Sequence, residues 1–343
     1  MSNRWPAGIV RKTPITPTGP YQCGAASGVW SLADASYWTK QGLWPIAGNL
    51  APGTFAVFAL GATASCGAVT TRNKYTYSGD VVSAGGAATA ASSGGSAAGT
   101  STVGIFALGS APSRVTTRNK YTYAGCVVST GGAATAASFR GSAAGNSTIG
   151  IFALGNVCAL GSTTRDKYTY SGDSVSAGGA ATAVGQLGSA AGNSTVGIFA
   201  LGATNAGLGT TTRNKYTYSG CVVSAGTAAT LPSQQGSAAG NSTVGIFAIG
   251  FWCSGYVTTR DKYTYSGDVV SAGGAATVAS AEGSAAGNST VGIFALGRNI
   301  CGTIITTRNK YTYSGCVVSA GGAATAASVR GSAASNGTTG VNM

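Results

Sequence analysis

The chain has 343 residues, of which 8% are charged, and its 20 basic and 7 acidic side chains give a formal net charge of +13. It contains no histidine, which removes a Ser-His-Asp relay and an imidazole metal site from the chemistry open to it. Its 56 glycines suggest low complexity, but 44% hydrophobic residues with Tyr and Phe at regular positions argue against a disordered chain.

Residues 1–50 do not repeat. Met1-Ser-Asn-Arg-Trp-Pro lacks the apolar core of a secretion signal, and no stretch of about 20 apolar residues is present to span a membrane. A protein made in a cytosol is therefore expected, either staying soluble or leaving by a route that needs no signal peptide. Ser31 with Asp34 reads as a helix N-terminus and Gly42 as a stop, predicting a short helix over Leu32–Gln41. Four of the five tryptophans, Trp5, Trp30, Trp38 and Trp44, lie here. Such aromatic density suits an anchoring interface, or a cover over one end of whatever follows.

From residue 51 the chain repeats. Thr-Thr-Arg-Asn/Asp-Lys-Tyr-Thr-Tyr occurs six times, with Arg72, Arg118, Arg165, Arg213, Arg260 and Arg308 spaced 46 to 48 residues apart. A second motif, Ile-Phe-Ala-Leu-Gly or a close variant, runs in step with it. Such a period marks one supersecondary unit whose core is made by stacking neighbours.

In the copy from Ser142 to Ser189, Gly-Ser-Ala-Ala forms a short innermost strand and Gly145-Asn146 reads as a type I′ hairpin. Ile149–Gly155 is an uninterrupted apolar run, as in a strand buried on both faces. A variable loop leads to Thr163–Tyr170, with Arg165, Lys167 and Thr169 on one face and Asp166, Tyr168 and Tyr170 on the other. After a Ser-Gly turn, Asp173–Ala177 is a fourth strand.

Four antiparallel strands in about 47 residues is the size of a propeller blade. The sequence therefore predicts an all-β fold: a six-bladed β-propeller over 51–343, preceded by a non-repetitive segment with a short helix. The first unit lacks an innermost strand and the C-terminus carries a spare copy, Gly331-Ser-Ala-Ala-Ser335. That segment is expected to complete the first blade.

An apolar strand ending in glycine, a variable loop, a Tyr-bearing strand, a tight turn and a fourth strand, as in Gly104–Gly109 and Lys120–Tyr123, resemble the kelch family over roughly residues 54 to 335. One glycine stands where kelch has two (Gly109 precedes Ser110), and Val127 and Val128 replace the fourth-strand tryptophan. The Gly28-Val-Trp-Ser-Leu and Gly42-Leu-Trp-Pro wording, together with the repeated Tyr-Thr-Tyr and Ile-Phe-Ala-Leu-Gly, resembles structural proteins of tailed-phage appendages. This resemblance implies a virion location, with the N-terminal segment held by other virion proteins.

The copies differ mainly in two places: the loop between the second and third strands, and the residues just before each Gly-Ser-Ala-Ala. In a four-stranded antiparallel blade both emerge at one end, so a diversified face on a constant frame is expected, either a recognition surface or loops left free to vary. Phe139, Arg140, Phe251, Trp252, Tyr256 and Arg298 are the candidate contact residues. The basic charge, built into the repeat, points to an acidic partner such as a host-surface glycan, or to Arg/Lys bracing between units.

The turn after Tyr-x-Gly alternates Asp80, Cys126, Asp173, Cys221, Asp268, Cys316, as if a two-blade unit had been duplicated. Loop and turn cysteines fall at opposite blade ends, so free thiols are expected. No metal or cofactor site and no enzymatic activity is expected. A structural and binding protein of a phage particle is the leading expectation; a cellular kelch-like protein- or sugar-binding module is the alternative.

Overall fold

The computed structural model describes residues 4–5, 8–9, 33, 53–63, 67–110, 113–252 and 255–337. The chain divides into two compact units, Met1–Pro52 and Gly53–Met343. In the first, Arg4–Trp5 pairs antiparallel with Gly8–Ile9. Of the helix expected over Leu32–Gln41, only Ala33 is among the described residues, and Trp30, Trp38 and Trp44 lie outside them.

The second unit is all-β, in keeping with a repeated blade. Six four-stranded antiparallel sheets are present among its described residues. The third sheet runs Ser142–Gly145, Ile149–Ala153, Arg165–Thr169, Ser174–Ala177 from its inner to its outer strand. Its inner strand is small and buried throughout, and Gly150, Ile151 and Phe152 at the centre of the second strand are buried too. In its third strand Arg165 reaches the next sheet, while Asp166 and Tyr168 meet the preceding one.

The turn after the inner strand is not of the I′ type, since neither Gly145 nor Asn146 has a positive φ. The Asn146 side chain decides it instead: its Oδ1 accepts from the backbone N–H of Thr148 and of Ile149, both at 2.9 Å. A local side-chain acceptor substitutes for the left-handed backbone that a two-residue hairpin needs.

Ser332–Ser335 pairs antiparallel with Phe55–Ala59, so the inner strand of the first sheet comes from the far end of the chain. Inner strands touch in the order Ser332–Ser335, Ser96–Gly99, Ser142–Gly145, Ser189–Gly192, Ala238–Gly240, Ser284–Gly287, and the last touches the first. Between successive sheets lies a small aromatic core; Ala98 and Ile105 of the second sheet meet Ala143, Phe152, Tyr168 and Tyr170 of the third. Burying one such aromatic or aliphatic side chain contributes about 1.5–3 kcal/mol.

The repeated arginines brace these interfaces. Each guanidinium donates to the Asn or Asp one repeat ahead: Arg72 to Asn119, Arg118 to Asp166, Arg165 to Asn214, Arg213 to Asp261, Arg260 to Asn309, and Arg308 back to Asn73. Each also lies over the phenylalanine of that next sheet, as Arg118 does over Phe152 at 4.6 Å. All six arginines are buried.

The Asp/Cys alternation has the same logic. Lys120, Lys215 and Lys310 reach ahead to Asp173, Asp268 and Asp80 at 2.8–3.0 Å. Cys126, Cys221 and Cys316 hold the same left-handed turn position (φ 54–55°) in the other sheets. Lys74, in the sheet before Cys126, rests over the Phe55 ring at 4.3 Å instead.

Twelve tyrosines sit in these interfaces, two per sheet, and all are buried. Burial is the largest cause raising every one of the phenols, with hydrogen bonds to Asp80, Asp173 and Asp268 adding to it at Tyr75, Tyr168 and Tyr263; Tyr121 and Tyr263 reach about 12. A phenol whose folded pKa exceeds its unfolded value contributes stability that is full below about pH 10 and is lost as pH rises beyond. Burial lowers the six bracing arginines, Arg72, Arg165, Arg260 and Arg308 to about 10, which acts in the opposite sense. Twelve phenols outnumber six guanidiniums, so cooperative unfolding is expected between about pH 10 and 12. Near-ultraviolet dichroism should collapse together with the rise of tyrosinate absorbance; phenols ionising one by one in an intact fold would refute this.

Candidate functional site

The segments that differ between repeats come together at one end of the sheets. Each residue stretch before an inner strand pairs with the loop that follows the second strand. Ser138–Phe139 pairs with Asn156–Val157, Ser280–Ala281 with Arg298–Asn299, and Ser328–Val329 with Ala62–Thr63. Single bridges do the same for Ser93 with Ser110, Gln186 with Ala203, and Gln234 with Phe251. The expected juxtaposition of the two variable sets is thus a physical pairing, repeated six times.

At the centre of this end is a hoop of backbone hydrogen bonds. Arg140 N–H donates to Gly94 C=O, Leu187 to Arg140, Gln235 to Leu187, Glu282 to Gln235, Arg330 to Glu282, and Gly94 to Arg330, at 2.7–3.0 Å. All six residues have φ between 54° and 65°. A non-glycine residue there costs roughly 1–3 kcal/mol, and such positions concentrate at ligand clamps. Behind each stands a glycine forced by close approach: a Cβ on Gly141 would lie 2.3 Å from the Ala153 carbonyl oxygen.

The hoop residues and their following glycines line a hollow of about 370 Å³, counting the open space at its mouth. The frame is uniform, but its side chains are Gly, Arg, Leu, Gln, Glu and Arg. Glu282 is buried and engaged through both oxygens, Oε1 with Arg330 at 2.6 Å and Oε2 with Arg298 at 3.3 Å. Arg140 lies over the Phe139 ring at 4.9 Å, and that ring fills the space where a Gly94 side chain would stand. Burial, then the Arg330 charge, lowers the Arg140 pKa; Glu282 opposes and Arg114 adds to the lowering.

The candidate residues fall into three groups. Phe139 and Arg140 meet at the hoop. Phe251 and Trp252 pair with Gly255 and Tyr256 in a small hairpin, with the Phe251 and Tyr256 rings edge to face at 5.6 Å. Arg298 is joined to the hoop through Glu282 and also donates to the Gly302 carbonyl. Trp252 is 41% exposed, and Leu160, Leu208 and Ile300 on other loops are more so, giving the rim an apolar character.

Arg140 was expected as a contact residue; Leu187, Gln235, Glu282 and Arg330, variable positions of the same kind, occupy the equivalent places in the hoop. The signal was present: one residue varies directly before an otherwise constant Gly-Ser-Ala-Ala. Cys126, Cys158, Cys221, Cys301 and Cys316 are free thiols. Among the described residues, no group of three or more His, Cys, Asp or Glu could hold a metal, and no helix is long and apolar enough to cross a membrane. Compared with known proteins, the chain matches no family model and no curated protein.

Proposed function

We propose that the chain is a binding protein of a phage particle: a six-bladed, kelch-like β-propeller whose variable end recognises an acidic host-surface glycan. Its N-terminal segment, with Trp5, Trp30, Trp38 and Trp44, holds it to other virion proteins. The observation that carries the reading is the gathering of all six variable loop pairs around one hoop on an otherwise constant frame. Diversity confined to one end of a rigid scaffold suits recognition, because the loops change specificity without disturbing the interfaces between sheets. The basic charge, +13 overall, favours an anionic partner and a salt-sensitive association.

The test is binding of labelled full-length protein to bacterial surfaces and to arrayed acidic and neutral glycans. Trp252→Ala, in an exposed hairpin, should weaken binding at least several-fold. Ser147→Arg, in the constant turn at the other end of the third sheet, should leave it unchanged. Equal binding by both variants would remove the variable end from recognition. Mass spectrometry and imaging of purified particles would place the chain on the virion or exclude it.

A further inference from the structure

One hoop arginine forms no ion pair among the described residues. Arg330 and Arg298 share Glu282, whose two oxygens are both taken. Arg140 occupies an equivalent position and forms no ion pair among the described residues. Its Nε is buried and has no hydrogen-bond partner among the described residues, as is also true of the six bracing arginines stacked on phenylalanine. Half-buried, stacked on Phe139 and held at φ 60°, this guanidinium is fixed in place by the fold, unlike a freely moving surface arginine. A guanidinium presents its N–H groups as a fork that matches an oxyanion.

We infer that Arg140 is the specificity-determining residue of an oxyanion site in the axial hollow, and that it takes the carboxylate or sulfate group of an acidic glycan. The inference rests on the reading of the variable end as the recognition surface. Arg330 and Arg114, both close enough to act on the Arg140 charge, add long-range attraction for the anion. Phe139 lies against the guanidinium, and the hollow opens to solvent at its mouth. Equivalent positions carry Leu187, Gln235 and Glu282, so the backbone already accepts other side chains at this φ. That supplies variants that should fold: Arg140→Gln repeats Gln235 and Arg140→Leu repeats Leu187.

The experiment titrates full-length protein and both variants with three probes: a glucuronate oligosaccharide, a sulfated galactose oligosaccharide and a neutral galactose oligosaccharide. At least one acidic probe should bind, weaken with added salt, and lose roughly tenfold or more in affinity on Arg140→Gln. Whichever acidic probe responds identifies the group. Binding of the acidic probes that is indifferent to Arg140, or neutral binding that is equally tight and equally Arg140-dependent, overturns the site. Stabilisation by inorganic sulfate alone, with neither acidic probe binding, means an adventitious ion only and also overturns it. Bacterial adhesion measured alongside separates the two readings. Adhesion that needs Trp252 while acidic probes ignore Arg140 removes the site and leaves the recognition surface. Arg140-dependent probe binding with adhesion indifferent to both residues leaves the site and removes the surface.

Discussion

A chain ending at Arg330 is expected not to fold. It would lack Ser332–Ser335, which forms the inner strand of the first sheet through four register pairs with Phe55–Ala59. Each ladder hydrogen bond contributes about 1 kcal/mol net. Ala333 and Ala334, both fully buried, belong to the cores on either side of that sheet, so two interfaces would open together. The exposed edge of Phe55–Ala59 would invite aggregation. These losses together reach the 5–15 kcal/mol by which whole domains are stable.

The connection across this junction copies the others. Asn336 Oδ1 accepts from Phe55 N–H at 3.0 Å, as Asn146 does from Ile149, and Tyr77 N–H donates to Thr54 C=O, as Tyr170 does to Thr148. A permuted chain running from Ala323 to Gly337, joined directly to Thr54 and ending at Gly322, would make the turn continuous. It should fold cooperatively where the truncated chain does not, as judged by dichroism and urea unfolding. A truncated chain that folds normally, or a permuted one that fails, would show that this strand is not what completes the first sheet.

Much of this arrangement is readable from sequence because the repeat imposes it. The period marks the sheets, Ser-Ala-Ala marks the crowded inner strand, and disagreement between copies marks the variable end. Features that depend on a partner one repeat away are harder to read. The alternation of Asp80 with Cys126 makes sense only once Lys310 is seen reaching Asp80 from the sheet before. The turn at Asn146 resembles a glycine-type hairpin because composition does not reveal that the side chain supplies the acceptor. The hoop was hidden most deeply, since Arg140, Leu187, Gln235 and Glu282 share no chemistry. What they share is a left-handed backbone, which their side chains give no reason to expect.

Removing one bracing arginine should cost different amounts according to what it faces. Arg118 and Asp166 form a 2.7 Å ion pair with both side chains 0% exposed. Arg118→Met would leave the Asp166 carboxylate buried, with only the Thr135 N–H and hydroxyl to satisfy it. Breaking a buried pair in this way costs about 3–5 kcal/mol. Arg165 makes the same contacts to the next sheet, over Phe199 and onto Asn214, but its acceptor is neutral. Arg165→Met should therefore cost distinctly less, because a stranded amide loses a hydrogen bond and no charge is left uncompensated. Asp166→Asn recreates the pairing found at Asn119, Asn214, Asn309 and Asn73, so alone it should be close to neutral. Combined with Arg118→Met, it should restore stability to the level of Arg165→Met. Urea unfolding of the four variants measures this directly. If Arg118→Met and Arg165→Met prove equally destabilising, the arginines act through their stacking on phenylalanine, and the carboxylates at Asp166 and Asp261 are incidental to the brace.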